Sequence, residues 1–171
     1  MNHITRYLIA VVIIVSDQIT KIAADRSLEL YEQVPITGFF NITKAYNYGA
    51  AFSFLDVAGG SQRWFLTGIS FVVSVVLIVW LYRLTKQEKL MTLSISLILG
   101  GAVGNLIDRF WYGYVVDFIQ VYWGNSYFPS FNIADAAISC GSALMLYLTF
   151  FDKPEEQAKD CLLYTSPSPR D

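Results

Sequence analysis

Four apolar segments, each long enough to cross a lipid bilayer, alternate with polar segments along the chain. A helix needs about 20 mostly apolar residues to span the hydrocarbon core. The two central segments contain no charged residue, whereas the first and the last carry charged residues near their ends. The pattern therefore predicts four transmembrane helices, at about residues 4–24, 64–82, 90–107 and 131–151.

The first of these segments begins with a short basic stretch and an apolar run, as a cleavable signal peptide does. A signal peptide would continue with small residues at its cleavage site. This chain has Asp17, Gln18 and Lys21 there instead. We therefore expect the segment to be retained as the first helix.

The composition is typical of a protein that lies in lipid. Hydrophobic residues make up 54% of the chain and charged residues only 15%, and the mean hydropathy is +0.44. The formal net charge of -2 leaves no basic stripe to neutralise nucleic-acid phosphates. The two cysteines lie in an apolar segment (Cys140) and in the polar tail (Cys161), so we expect no disulfide framework. An integral membrane protein that binds no nucleic acid is predicted.

Basic residues indicate which end of the helices faces the cytoplasm, because cytoplasmic loops are enriched in Lys and Arg. Arg83, Lys86 and Lys89 lie in or beside the short link between the second and third segments, and Arg6 lies near the start of the first. We therefore expect both termini to be cytoplasmic. This orientation places four acidic residues at the outer, extracytoplasmic end: Asp17, Asp108, Asp117 and Asp135.

The two outer loops that this orientation defines have an unusual composition. Residues 32–54 mix β-branched and aromatic residues with turn formers, which predicts a small strand-rich platform. Residues 109–130 form a second loop that is rich in aromatic residues. Such rings suit the headgroup layer of a membrane. An interfacial belt and a substrate-binding surface are both compatible with this loop.

Two pairs of residues near the predicted spans have helical spacing. Asp17 and Lys21 are four residues apart, so on a helix they share a face and can form an ion pair. Gly100 and Gly104 form a small-xxx-small face, which lets a neighbouring helix approach closely. We interpret both pairs as structural features of a helix bundle.

Asn105, Asp108 and Arg109 follow these glycines and also share a helix face. We interpret them as a buried polar network between helices, in which Arg109 pairs with a carboxylate. Contact of Arg109 with a phosphate or a substrate carbonyl is the alternative. The sequence Asn47-Tyr48-Gly49 suits an ordinary turn and by itself indicates no function.

Asp117 and Asp135 have no basic residue within one helical turn of sequence. A carboxylate at membrane depth is costly, and it is a functional candidate when it is unpaired. Either these charges are compensated across the fold, by Arg109, Lys21 or backbone amides, or they serve in catalysis.

Few other catalytic groups are available in the sequence. The single histidine, His3, lies at the cytoplasmic start, and no HExxH motif or cysteine cluster offers a zinc site. Cys140 has no histidine to act as its base, and Ser16 does not share a helix face with Lys21. We therefore expect carboxylates to be the reactive groups, with no metal and no cofactor.

Five short motifs, taken in order, resemble those of bacterial lipoprotein signal peptidase, also called signal peptidase II. The resemblance covers about residues 4–151, and five motifs in the same order are far more specific than any one of them. The motifs are Asp17-Gln18-Ile19-Thr20-Lys21, Asn47-Tyr48-Gly49-Ala50-Ala51-Phe52, Gly100-Gly101-Ala102-Val103-Gly104-Asn105-Leu106-Ile107-Asp108-Arg109, Val115-Val116-Asp117-Phe118 and Phe131-Asn132-Ile133-Ala134-Asp135.

This resemblance implies an aspartyl endopeptidase of the bacterial inner membrane, with four transmembrane helices, a small extracytoplasmic β-cradle and an aromatic-rich outer loop. Such enzymes remove signal peptides from prolipoproteins by cleaving before a lipobox cysteine that carries a diacylglyceryl group. The family's catalytic pair falls on Asp117 and Asp135. Its positions for substrate contact or active-site support fall on Asp17, Lys21, Asn47, Gly104, Asn105, Asp108, Arg109 and Asn132.

The resemblance also implies that the partners are diacylglyceryl-prolipoprotein substrates and membrane lipids, and we expect a monomer. We expect residues 1–153 to form one membrane domain and the polar residues 154–171 to be a disordered tail. One alternative function is a small proton-coupled transporter or channel subunit, although the two halves show no inverted repeat. Another is a membrane assembly factor whose polar residues are only structural.

Overall fold

Four long helices dominate the structure, a computed structural model that describes residues 3–49 and 61–151. All four are long and apolar enough to cross a membrane, which confirms the four predicted spans. The predicted tail and residues 50–54 of the predicted platform lie outside the described residues. The helices are α1 (His3–Ser27), α2 (Ser61–Arg83), α3 (Lys89–Trp111) and α4 (Ile133–Phe151).

Four short strands form one antiparallel sheet in the order β1-β2-β3-β4. The first two strands lie within the predicted platform, which confirms that part of the prediction. The third runs through the segment that the sequence predicted as an aromatic outer loop, because Val, Ile and aromatic residues favour a pleated, half-buried surface. The strands are β1 (Gln33–Thr37), β2 (Phe40–Asn47), β3 (Val115–Trp123) and β4 (Ser126–Tyr127).

The sheet follows the C-terminal ends of α1 and α3 and precedes α2 and α4 in the chain, so it lies at one end of the bundle. We call this the sheet end. Helix α4 begins at Ile133, close to the predicted start at about residue 131. Phe131 belongs to the sheet instead, because its N–H donates to the Ile119 carbonyl at 2.9 Å and its own carbonyl accepts the Ile119 N–H at 2.8 Å.

Helix α3 is the central helix of the bundle. Inside the protein, 56% of its span is buried, compared with 22% of each of the other three. The apolar core includes Ala10 of α1, Leu77 and Leu81 of α2, and Ile95 and Leu99 of α3. The buried polar residues Asp17 and Lys21 of α1 and Asn105 and Asp108 of α3 lie nearer the sheet end, so the bundle has an apolar half and a polar end.

Glycines let α3 approach its neighbours closely, as the small-xxx-small pattern predicted. A Cβ on Gly100 would lie 2.7 Å from Cβ of Ile13 and 2.9 Å from the Ala10 carbonyl oxygen. A Cβ on Gly104 would lie 2.7 Å from Oδ2 of Asp17. The absence of these side chains therefore brings the backbone of α3 against α1 beside the polar end of the bundle.

Gly100→Ala should lower the stability of the bundle, because the added methyl group overlaps α1 and the two helices must move apart. Overpacking of this kind typically costs about 1–3 kcal/mol, and thermal unfolding in detergent would measure it. Gly68→Ala on α2 is the matched control, since no atom lies within 4 Å of its added Cβ. Equal unfolding temperatures for the two variants would contradict the close approach of α3 to α1.

Candidate active site

Asp117 and Asp135 meet at the sheet end, although they lie 18 residues apart in sequence. Asp117 is on β3, and Asp135 is in the first turn of α4. One asparagine, Asn132, contacts both residues. Its Nδ2 donates to Oδ1 of Asp117 at 2.7 Å, and its Oδ1 accepts the backbone N–H of Asp135 at 2.9 Å. The Asp135 carboxylate in turn accepts the Asn132 N–H at 3.4 Å, and its charge acts on Asp117. The two predicted catalytic carboxylates are therefore neighbours, and we call this pair the dyad.

Local sequence explains why α4 begins beside this pair. Asn132 precedes the helix, and its side chain accepts the N–H of Asp135 three residues later. The Asp135 carboxylate faces back toward the Asn132 N–H at 3.4 Å. This reciprocal arrangement is a capping box, which satisfies N–H groups that the start of a helix otherwise leaves free. The helix start thus orients both Asn132 and Asp135.

The sheet orients Asp117. Val115 of β3 pairs with Asn47 of β2, and Asp117 lies two residues beyond Val115, on the same face of the sheet. Nδ2 of Asn47 donates to Oδ2 of Asp117 at 3.1 Å. Gly49 N–H donates to Oδ1 of Asn47 at 2.8 Å, which fixes the amide. The predicted turn at Asn47-Tyr48-Gly49 therefore places a donor against the dyad.

The environment of Asp117 favours its protonated form. Only 3% of the residue is exposed, and burial, followed by the charge of Asp135, raises the pKa of Asp117 to about 7. Hydrogen bonds from Asn47 and Asn132 and the charge of Lys21 act in the opposite direction. A pair of neighbouring carboxyls in a poorly solvated site resists double ionisation in this way.

A second polar cluster lies between α1 and α3. The predicted ion pair of Lys21 with Asp17 is confirmed, with Nζ 2.7 Å from Oδ2. The same Nζ lies 2.8 Å from Oδ2 of Asp108 and donates to Oδ1 of Asn105 at 2.9 Å. All four residues are almost completely buried, so the predicted polar network between helices is confirmed for Asn105 and Asp108.

Two contacts join this cluster to the dyad. Nδ2 of Asn105 donates to Oδ1 of Asp135 at 2.8 Å. Oδ1 of Asp17 accepts the backbone N–H of Ala134, in the first turn of α4, at 2.9 Å. Gly104 leaves the space that the Asp17 carboxylate occupies. The predicted site residues on α1, α3, β2, β3 and α4 therefore form one connected group.

Arg109 does not make the contact that the sequence suggested. In the part of the chain that the structure describes, Arg109 forms no ion pair with a carboxylate. Its guanidinium is half-buried, makes a long 3.5 Å contact with the Asn105 carbonyl, and interacts electrostatically with Asp135. Arg109 therefore lies beside Asp135 without a carboxylate partner among the described residues.

The charges of Asp117 and Asp135 are therefore not compensated in the way that a purely structural role would require. That role required Arg109, Lys21 or backbone amides as direct partners. The contacts with the two carboxylates come mainly from side-chain amides of three asparagines. Neutral donors allow either carboxyl to gain or lose a proton, whereas a paired cation would hold its carboxylate in the ionised form.

Gln18 is a site residue that the sequence did not single out. Its Nε2 donates to Oδ1 of Asp108 at 2.9 Å and to the Gly104 carbonyl at 3.2 Å. Its position inside the Asp17 to Lys21 motif was the available signal. Among residues 3–49 and 61–151, no three His, Cys, Asp or Glu side chains are grouped so that they could hold a metal ion.

Comparison with known proteins gives a consistent result. The family model for signal peptidase (SPase) II matches residues 9–151. The chain is 52% identical over 143 residues to the lipoprotein signal peptidase of Acinetobacter baumannii ATCC 17978, covering 84% of this chain and 81% of that protein. It is 48% identical over 161 residues to the lipoprotein signal peptidase of Ectopseudomonas mendocina strain ymp, covering 93% of this chain and 94% of the relative.

The fold is also similar to solved structures. One, a bacterial membrane enzyme, superposes with a TM-score of 0.78 at 33% identity, covering 87% of this chain and 94% of the other. These matches do not support the alternative of a transporter or channel subunit. Four helices able to span a membrane and relatives of this kind indicate a multi-pass protein of the bacterial inner membrane. The chain therefore belongs to the signal peptidase II family of lipoprotein signal peptidases.

Proposed function

We propose that this chain is an aspartyl endopeptidase whose catalytic pair is Asp117 and Asp135. Its substrates are prolipoproteins, which it cleaves before a lipobox cysteine that carries a diacylglyceryl group. The contact of both carboxylates with Asn132 carries the proposal, because Nδ2 of Asn132 donates to Asp117 and its backbone N–H to Asp135. It supports two acids that are close enough to share one proton.

The chemistry requires one ionised and one protonated carboxyl. The ionised member removes a proton from a water molecule as the water oxygen attacks the scissile carbonyl carbon, while the protonated member donates its proton to the carbonyl oxygen. The tetrahedral intermediate then collapses: one of its hydroxyl groups returns a proton to the carboxyl that is now ionised, the C–N bond breaks, and the leaving nitrogen takes up a proton from the other carboxyl, so the pair again holds one proton. No covalent bond to the enzyme forms at any step.

Arg109 and the asparagines support this reaction without reacting themselves. Arg109 lies beside the pair without a carboxylate partner, which suits a group that binds a substrate carbonyl or stabilises developing negative charge. Asn47, Asn105 and Asn132 hold the carboxyls in place. Asp17, Lys21, Gly104 and Asp108 hold α1, α3 and α4 around them.

The surroundings of the site suit a lipid-bearing substrate. Leu106 follows Asn105 on α3 and helps to line an apolar groove between α2 and α3, with a volume of about 390 Å³. Trp64 and Phe71 of α2 line its other side. We infer that acyl chains of the substrate pack between helices there, which would fix the depth of the scissile bond.

The orientation of the protein in the membrane is part of the proposal. Arg83, Lys86 and Lys89 lie around the link between α2 and α3, at the end of the bundle opposite the sheet, and favour a cytoplasmic position for that end. Both termini are then cytoplasmic, and the site faces the extracytoplasmic side. One chain supplies every group of the site, so a monomer is sufficient.

Asp117→Asn and Asp135→Asn should each abolish cleavage of a diacylglyceryl-modified lipobox peptide, because a carboxamide neither accepts the water proton nor donates the acid's proton. Loss of an acid or base group typically costs about 10²–10⁴-fold in rate. The unmodified peptide should not be cut by the wild-type protein. Purified protein in detergent and mass spectrometry of the products would measure both effects.

Asp25→Asn is the matched control, because Asp25 also lies at the sheet end but pairs with Lys44, 3.0 Å away, outside the dyad. This variant should retain cleavage. Substantial processing by either dyad variant with an unchanged melting temperature would refute the acid pair. Equal cutting of the modified and unmodified peptides would refute the lipid requirement.

The cleavage rate should fall as the pH rises through about 7. The raised pKa of Asp117, about 7, keeps this carboxyl protonated below that pH and ionised above it, and the reaction needs one proton on the pair. On the alkaline side, kcat/KM should decline by about tenfold per pH unit. Initial rates in buffers of constant ionic strength would test this, and a rate that stays level up to pH 9 would contradict it.

A further inference from the structure

The three asparagines around the dyad are each held in one orientation by a group outside the two carboxylates. Lys21 shows this most clearly. Its ammonium has three N–H groups and no acceptor, and three oxygens lie at 2.7, 2.8 and 2.9 Å from Nζ. The Asn105 atom that faces Lys21 must therefore be its oxygen. The amide nitrogen of Asn105 is left to face Asp135, where it can only donate.

Asn47 and Asn132 are oriented by the same rule. A backbone N–H can only donate, so the Asn47 atom that faces the Gly49 N–H is its oxygen. The Asn132 atom that faces the Asp135 N–H is likewise its oxygen, and Nδ2 of Asn132 also lies 3.3 Å from the Val116 carbonyl, an acceptor. Both asparagines therefore present N–H groups to Asp117.

The two carboxyls nevertheless differ in what surrounds them. Asp135 lies in the first turn of α4, where the helix dipole and the free N–H groups favour negative charge. It receives the amide of Asn105, which Lys21 polarises from the other side. Asp117 lies on a strand and is more deeply buried than Asp135. Among the described residues, its carboxylate accepts hydrogen bonds from the neutral amides of Asn47 and Asn132.

The charged groups that face Asp135 come from three other elements. Arg109 of α3 interacts more strongly with Asp135 than with Asp108 or Asp117. Lys21 of α1 contacts Asn105, and its charge also favours the ionised form of Asp117. The opposing charges of Asp17 and Asp108 are bound to Lys21, and Asp117 of β3 opposes ionisation of its neighbour. Asp135 thus combines a helix N-terminus, the Asn105 amide and the charge of Arg109, whereas the charge of Lys21 acts on Asp117 against its deeper burial.

We propose that Asn105, held by Lys21, keeps Asp135 ionised, so that Asp135 is the general base and Asp117 carries the shared proton as the general acid. The inference rests on the proposed aspartyl peptidase function. Asn105 is a positioning residue, since it acts through Asp135 and leaves the scissile bond to the two acids. By binding the amide oxygen of Asn105, Lys21 leaves the amide nitrogen to contact Asp135.

Two substitutions distinguish this assignment from its reverse. Asn105→Leu removes the N–H donor from Asp135, so the acid limb of the kcat/KM profile should move up by about one pH unit, which lowers the rate about tenfold below that limb. Asn47→Leu removes a donor from Asp117, so the alkaline limb should move up and the acid limb should stay. The profiles would be measured with the diacylglyceryl-modified lipobox peptide.

Asn41→Leu is the matched control. Asn41 is a buried asparagine of β2 whose amide bonds to Gln120 at 3.1 Å, outside the site, so both limbs should stay in place. The assignment would be overturned if Asn47→Leu moved the acid limb. It would also be overturned if Asn105→Leu moved only the alkaline limb. An unmoved acid limb in Asn105→Leu would do the same.

Cleavage by the wild type and by Asn41→Leu tests the proposed function, and the limb shifts test the assignment. If neither the wild type nor Asn41→Leu cleaves the modified peptide, the proposed function fails and the assignment falls with it. If both cleave but Asn105→Leu and Asn47→Leu show the exchanged pattern of limb shifts, the peptidase function stands and only the assignment of base and acid is refuted. Should Asn105→Leu not fold, Asn47→Leu decides alone, because a shift of the alkaline limb supports the assignment and a shift of the acid limb overturns it.

Discussion

The rest of the site depends on the contacts that the buried ammonium group of Lys21 makes. Its Nζ lies within 2.9 Å of oxygens of Asp17, Asp108 and Asn105. Asp17 and Asn105 continue the connection to the start of α4 and to the dyad. A buried cation is tolerated only when it is fully paired, and removing one partner of such a group costs about 3–5 kcal/mol. The cluster therefore holds α1, α3 and α4 in one arrangement and orients the dyad at the same time.

Basic side chains also bind the C-terminal carbonyl groups of three helices, α1, α2 and α3. Arg6 donates to the carbonyls of Leu81, Leu84 and Thr85 at the end of α2. Lys44 donates to carbonyls at the end of α1, and Arg63 to those of Arg109 and Phe110 at the end of α3. Carbonyls without partners are costly near lipid, and cations suit the negative end of a helix. Lys44 and Arg63 lie at the sheet end, where the rule that basic residues favour the cytoplasmic side would not place them, and these contacts give a structural reason for their position.

Hydropathy predicted the helices well, because a bilayer imposes a length and a composition that a single segment either meets or does not. The Asp17–Lys21 pair and the glycine face were also predictable, since helical spacing alone brings such residues together. Strand β3 was less visible, because its aromatic residues suit a membrane interface as well as a sheet. The contacts of Arg109 and Gln18 depend on which helices are neighbours, and spacing within one helix does not report this.

The sequence by itself determined the membrane environment, the four spans, the family and the positions of the two acids, because these depend on composition, local periodicity and motif order. Only the tertiary structure decided how the acids differ. Asp117 comes from a strand and Asp135 from a helix start, and three asparagines from β2, α3 and the α4 cap reach them. The proton affinity of a carboxyl depends on burial and on neighbours within a few ångströms, and those neighbours are distant in sequence.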